Sequence, residues 1–241
     1  MNPLPVIDTA FDVRSDAGGR DPDQHSPTLR RYHQFLWSKS LPSGALLTLD
    51  VSTSGAYLHH RSDLGEFFLA SDTIIHTFAS WLRMADIIAQ VDVEDRAAFH
   101  RIGRTIGGTI LFPGNRIEGK PTINGARGMH PRIRDRFDLT LECIRRHYAG
   151  TPSPLDDTLL RYADFFRLFE DFRGYVDFFL LQDLVSDDYA AVAFFTPFDN
   201  FTTPALPASL AGYEHYRAQT VGFVQARNGR IADSLTVVEG T

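Results

Sequence analysis

The sequence predicts an α+β fold: one domain in which a small mixed or antiparallel sheet is packed by several amphipathic helices. Three observations carry that expectation. Apolar residues recur at helical spacing in separate stretches, as Leu29, Tyr32, His33, Leu36 and Trp37 do. Between these stretches lie short apolar runs bounded by Ser, Gly and Asn, which suit strands rather than helices. No linker, repeat or low-complexity tract divides the 241 residues, a length that one large domain accommodates. The 19 Phe, 8 Tyr and 2 Trp supply enough aromatic area for a sizeable core.

Residues 1–25 are rich in Asp, Gly and Pro, lack periodicity, and read as an N-terminal arm or surface loop. Ser26 as N-cap and Pro27 at the first helical position then start a helix. Strands are expected at 46–51 and 57–61, and Ser62-Asp63-Leu64-Gly65 reads as a hairpin connection into a third at 66–70. Ser71 or Asp72 caps an expected helix with Ile74, Ile75, Phe78, Trp81, Leu82, Ala85 and Ile88 on its apolar face. A shorter helix covers 94–102. Gly107-Gly108 opens a strand at 109–112, and 120–124 reads as another. Pro131 starts the clearest helix, with Ile133, Phe137, Leu141, Ile144 and Tyr148 at i+3/i+4 steps and Gly150 as its stop. A helix over 155–169, an apolar segment to 185 and a strand over 191–198 follow. The last helix spans 209–228 and ends at Gly229. The globular domain is thus 26–230, with 231–241 as a C-terminal tail.

Net charge is −6, which excludes a general nucleic-acid coat, because nonspecific affinity comes from neutralising phosphates. The charge is unevenly distributed. Residues 116–147 hold eight Lys+Arg and four Asp+Glu, whereas 155–189 hold nine acidic and three basic residues. The single cysteine, Cys143, forbids an intramolecular disulfide and fits a reducing compartment. The N-terminal stretch has no basic n-region followed by an apolar run, and no apolar run approaches membrane-spanning length. A cytoplasmic protein without membrane contact is expected.

Phosphate-loop, dinucleotide-fold, zinc and nucleophile-elbow signatures are absent. No cofactor can be named, and no metal site is expected. His59 and His60 are neighbours on a strand and point to opposite faces, and Asp21, Asp23 and His25 cluster in the arm.

The basic, glycine-punctuated segment 112–148 is the place where chemistry is expected. In Phe112-Pro-Gly-Asn-Arg-Ile117 and Thr122-Ile-Asn-Gly-Ala-Arg-Gly128, glycines permit close approach to backbone N–H groups. Arg116 and Arg127 offer forked donors for phosphate, and Asn115 and Asn124 add polar groups that discriminate. On the following helix, Glu142 is the general-base candidate, with His130 or His147 as acid–base partners. A second cluster, Arg30, Arg31 and His33, follows the first helix start.

Ser26-Pro-Thr-Leu-Arg-Arg-Tyr-His33, the two loop motifs and Asp135-Arg-Phe-Asp-Leu-Thr-Leu-Glu-Cys-Ile-Arg-Arg-His147 resemble a family of bacterial and phage proteins catalogued as a domain of unknown function. The resemblance runs from about Phe11 to about Arg227. It implies a bacterial or phage origin, and, by association, a role in phage conflict. It transfers no catalytic residue.

The leading expectation is a protein that binds a phosphate-bearing ligand, a nucleotide or dinucleotide, with nucleotide-modifying or ADP-ribosyltransferase-like activity in view. The alternatives are a nucleic-acid-binding protein or nuclease, and a non-enzymatic interaction module. Oligomeric state is not legible.

Overall fold

A computed structural model describes residues 7–53 and 55–236. Its sheet has three antiparallel strands in the order β1 (Leu58–Ser62), β2 (Gly65–Thr73), β3 (Thr109–Pro113). The expected hairpin forms with Ser62 opposite Gly65 and Asp63-Leu64 at the turn. Gly65 has φ +129°, a conformation that other residues rarely adopt, which explains the glycine there. Strand β2 alternates near the hairpin, with Phe67 and Leu69 buried and Glu66 and Phe68 exposed. Strand β3 is buried at every position, as its continuous apolar run requires.

Ten α-helices pack around the sheet among the described residues. The helix started by Ser26-Pro27 forms as expected, but a short helix precedes it within the stretch read as an arm. Helix α1 (Pro22–His25) leads into α2 (Pro27–Trp37). The Ser26 hydroxyl accepts from the Leu29 N–H at 3.0 Å, and Leu29, Tyr32, Leu36 and Trp37 face the core. The expected helix over 71–88 is not there. Strand β2 continues to Thr73, the Ile74 N–H donates to the Gly108 carbonyl, and Phe78 adopts φ +56°. Only a 3₁₀ turn at Leu82–Met84 and α3 (Ala85–Ile88) remain of it, before α4 (Val93–Gly103). The apolar spacing came from residues packed by tertiary contacts instead.

Three other expected strands are replaced. Residues 46–51 form only isolated bridges, Ser40 with Leu46 and Asp50 with His59. Their carbonyls go to side chains, Leu49 to Gln34 and Val51 to Arg30. Residues 120–124 instead lead into α5 (Ile123–Met129), with the Thr122 hydroxyl accepting from the Gly125 N–H. Residues 191–198 make one bridge, Val185 with Val192, and the Phe195 N–H donates to the Asp138 carboxylate at 3.0 Å.

The clearest expected helix exists but begins late, as α6 (Phe137–Tyr148). Arg134 and Asp135 take φ values of +47° and +60°, which end any helical path from Pro131. After α6 come α7 (Asp156–Arg161), α8 (Ala163–Arg167) and α9 (Phe172–Phe178). Their aromatics, Phe165, Phe166, Phe169, Phe178 and Phe179, gather with Trp37 and Tyr175 in the core. Helix α10 (Leu210–Thr236) runs through Gly229 rather than stopping there, because fully buried Ile231 anchors the next turn. Part of the expected tail is therefore helix, and 237–241 lie outside the described residues. The expected arm is also packed: Ile7, Val13 and Ala17 are buried, and residues 1–6 lie outside the description.

The start of β3 is tied to α10 by one side chain. The Asn228 carboxamide accepts from the Gly107 N–H at 2.9 Å and donates to the Thr105 hydroxyl at 2.9 Å. A Cβ at Gly107 would sit 2.3 Å from the Asn228 Oδ1 and 3.1 Å from its backbone nitrogen. Gly107→Ala is therefore expected to destabilise the protein by about 1–3 kcal/mol, the usual cost of overpacking a core. A chemical-denaturation midpoint equal to that of the native chain would refute this account of the junction.

Candidate functional site

Most of the residues expected to bind a ligand are engaged inside the fold. The Arg30 guanidinium, 5% exposed, donates to four backbone carbonyls, those of Asp23, Val51, Thr53 and Ala56, at 2.6–3.1 Å. It organises the chain that runs from α1 towards β1. His33 is fully buried, and its Nδ1 accepts from the Trp37 indole at 3.1 Å. Burial holds its pKa down at about 3, helped by the Arg227 and Arg30 charges, so it stays neutral. Arg31 is exposed.

Arg127 is fully buried, and every nitrogen of its guanidinium is engaged. It donates to the Asp72 carboxylate at 2.5 Å, the Thr73 carbonyl at 3.1 Å, the Asp135 carbonyl at 2.7 Å and the Thr140 hydroxyl at 3.1 Å. Arg116 and Asn115 are exposed on the loop after β3. A phosphate gripped jointly by Arg116 and Arg127 does not exist in this fold. Asn124 reaches the Ser71 carbonyl at 3.4 Å, and its Oδ1 is buried without a partner.

The acid–base candidates fare similarly. Glu142 is 3% exposed, and Arg145 and Arg146 occupy both of its oxygens at 2.7–2.9 Å. Burial opposes ionisation, but the two arginines together hold the carboxyl below its usual range, which is wrong for a general base. The His130 Nδ1 accepts from the Arg132 N–H, and the His130 backbone N–H caps the end of α5 on the Ala126 carbonyl. His147 packs against Phe166 and Tyr148. Burial lowers the pKa of both rings.

What Arg127 and Asn124 reach for locates a different site. Both act on the end of β2, residues Ser71–Thr73, which forms one wall of a cleft of about 480 Å³. The N-terminal segment lines it with Arg14, Asp21 and Asp23, and His100 of α4 and Arg104 just after that helix complete the lining. A volume of this size suits a small-molecule ligand.

Asp23 is the most perturbed carboxyl in that cleft. It is 7% exposed, and its Oδ1 is buried without a partner. Desolvation pushes its pKa up to about 6, against the opposing pull of the Ser71 N–H and hydroxyl. Ser71 therefore links Asp23 to Asp72, whose own charge is braced from behind by Arg127. One carboxyl is shifted towards neutrality while its neighbour is held by an arginine, a division of roles found in acid–base sites.

His76 lines the same wall. Its Nδ1 accepts from the Phe78 N–H at 2.9 Å, which puts the ring proton on Nε2, facing the Asp135 Oδ2 at 3.3 Å. Burial, then the Arg127 charge, lowers its pKa to about 4, so the imidazole is neutral beside Asp135. Desolvation raises the Asp135 pKa in turn. Gly128 makes room for this pair: a Cβ there would meet the Asp135 carboxylate at 3.0–3.1 Å.

At the α4 end the charge reverses. Arg14 is exposed, and Arg104 makes a loose pair with Asp12 at 3.6 Å. His100 lies between their fields, and burial followed by the two arginine charges lowers its pKa. The cleft is thus acidic at one end and basic at the other.

A family model described as "Family of unknown function (DUF6994)" matches residues 7–231. The chain belongs to that family. The match covers the sheet, all the cleft residues and most of α10. No curated protein and no solved structure matches the chain. The family assignment agrees with the resemblance carried by the sequence motifs, and it transfers no activity. No helix among the described residues is long and apolar enough to cross a membrane. Among the same residues, no group of three or more His, Cys, Asp or Glu could hold a metal ion.

His76, His100 and Arg104 carry no motif in the sequence, and Asp23 and Asp72 carry only weak signals. Asp21, Asp23 and His25 cluster near the N-terminus, and Ser71 or Asp72 reads as a helix cap. Nothing local announces that the first of these meets the second.

Proposed function

We propose that the protein binds a phosphate-bearing small molecule in the cleft between the N-terminal segment, the end of β2 and α4. The observation that carries this reading is the charge division along one cavity. Arg14 and Arg104 suit a phosphate, with His100 between them as a neutral donor or acceptor. Asp21, Asp23 and Asp72, with Ser71, suit the hydroxyl or amino groups of the same ligand. A sugar phosphate or nucleotide has this two-ended chemistry.

The same arrangement supports an enzyme over a passive binder. The Asp23 carboxyl, with a pKa of about 6, exchanges a proton near neutrality, and Asp72 beside it is bound by the Arg127 guanidinium. Proton transfer during hydrolysis or group transfer on a phosphorylated ligand is the chemistry it favours. The bacterial or phage source and the cytoplasmic location belong to this reading. The fully buried Cys143 thiol, with its pKa pushed up to about 12, is suited to a structural part in a reducing compartment.

Less supports the nucleic-acid alternative. Several arginines of the basic stretch are occupied, Arg127 with Asp72, Arg136 with Asp138 and Arg134 over the Trp81 ring. Phosphate neutralisation requires free cations.

Titration calorimetry tests the proposal with ribose 5-phosphate and nucleoside monophosphates. Arg104→Ala is expected to weaken binding by 10-fold or more while leaving the melting temperature close to that of the native chain. Binding indifferent to Arg104→Ala, or no binding of any phosphate ester at millimolar concentration, refutes it.

A further inference from the structure

A second cavity of about 410 Å³ adjoins the cleft and shares three of its wall residues, Thr77, Ala79 and His100. Its chemistry is different. The floor is Ile88, Phe99 and Tyr213, all buried, and Ala85 and Ala89 of the α3 region form the rim. The Tyr213 hydroxyl donates to the Thr77 carbonyl at 3.0 Å, so the ring rather than the hydroxyl is offered to the cavity. Arg96 completes the wall, half-buried, and its guanidinium has no ion-pair or hydrogen-bond partner among the described residues. Its neighbour Asp95 pairs instead with Arg217 of α10.

We infer that this second cavity receives the planar, carbonyl-bearing ring of a nucleobase, and that the ligand of the cleft is therefore a nucleotide. The inference rests on the phosphate reading of the cleft and deepens it. Small alanines at the rim leave a slot without branched side chains, and Phe99 gives it an apolar floor. A free guanidinium can lie against a ring face or donate its forked N–H groups to a base carbonyl. Aliphatic tails make no use of either property. His100, common to both cavities, marks the neck where the sugar would pass. The order along the ligand is then phosphate by Arg14 and Arg104, sugar at the neck, and base over Phe99.

Calorimetric titration of the full chain with UMP, GMP, ribose 5-phosphate and octyl phosphate separates this inference from the reading beneath it. Nucleotides are expected to bind at least 10-fold more tightly than ribose 5-phosphate. Ala89→Trp, an exposed rim position, is expected to remove that advantage and leave ribose 5-phosphate affinity unchanged. Arg96→Ala is expected to reduce the advantage as well. Equal affinities for nucleotide and ribose 5-phosphate overturn the inference but leave the phosphate reading standing. So does an advantage that survives Ala89→Trp. Octyl phosphate binding as tightly as a nucleotide overturns the assignment to a ring. No binding of any of the four compounds overturns both.

Discussion

Arg127→Ala is expected to destabilise the protein by about 3–5 kcal/mol, the range for removing one partner of a buried charge pair. Arg127 has no exposed surface, and each nitrogen of its guanidinium has a partner. Those partners come from three places in the chain: Asp72 and Thr73 at the end of β2, Asp135 in the left-handed turn, and Thr140 on α6. Alanine leaves the Asp72 carboxylate, only 22% exposed, without its counter-charge and two carbonyls without donors. Urea denaturation monitored by circular dichroism reads the loss directly. Arg127→Lys keeps the charge but cannot reproduce the fork, so more than half the loss is expected to remain. An arginine kept free for a ligand would behave differently, with affinity falling and stability unchanged. A shift below about 1 kcal/mol would therefore reverse the placement of Arg127 as a brace and restore it as a contact.

That contrast explains where the sequence was legible. Elements whose cause is local could be read: the Ser26-Pro27 helix start, the Ser62–Gly65 hairpin, and the buried run at β3. The α+β class follows from these, and it holds. The misread elements all depend on distant partners. The chain after Asp72 has helical spacing, yet the Ile74 N–H pairs with Gly108, 34 positions on, and β2 is prolonged. Residues 191–198 look like a strand, yet the Phe195 N–H finds a carboxylate on α6.

The site was misread for a related reason. A sequence presents arginine as a solvent-facing cation, and four of them here, Arg30, Arg127, Arg136 and Arg227, are buried. Arg227 satisfies the carbonyls of Gly107, Thr109 and Phe179 without any carboxylate at all. Whether a guanidinium meets a ligand or the protein's own carbonyls depends on long-range packing, which residue type and spacing do not encode. The motifs were still informative. Asn124 and Arg127 lie behind the cleft wall rather than in it, so the basic segment pointed to the right neighbourhood through the wrong residues.

Asp23→Asn is expected to stabilise the protein by about 1–3 kcal/mol at pH 8 and to have little effect at pH 4. The sign follows from proton linkage. In the folded chain the Asp23 pKa is about 6, against an ordinary value of 3.8, so the folded state holds this proton more tightly than the unfolded state does. Below pH 3.8 both states carry it, and the group makes no difference. As the pH rises from there through 6, the unfolded chain releases the proton first, and folding is progressively penalised. Well above pH 6 the penalty reaches about 3 kcal/mol at most, and Asn removes it while leaving its own amide incompletely paired. His33 and His76, both depressed, add a dependence of opposite sign, in which stability falls as the pH drops from 6.5. Those contributions are common to both chains and cancel in the difference. Urea midpoints of the native chain and the variant at pH 4, 6 and 8 isolate the Asp23 contribution. A variant less stable than the native chain at pH 8 would contradict it. A fold that keeps a carboxyl where it costs stability at neutral pH has kept it for something other than folding. Loss of ribose 5-phosphate affinity in the stabilised Asp23→Asn variant is the outcome that connects this strain to the cleft.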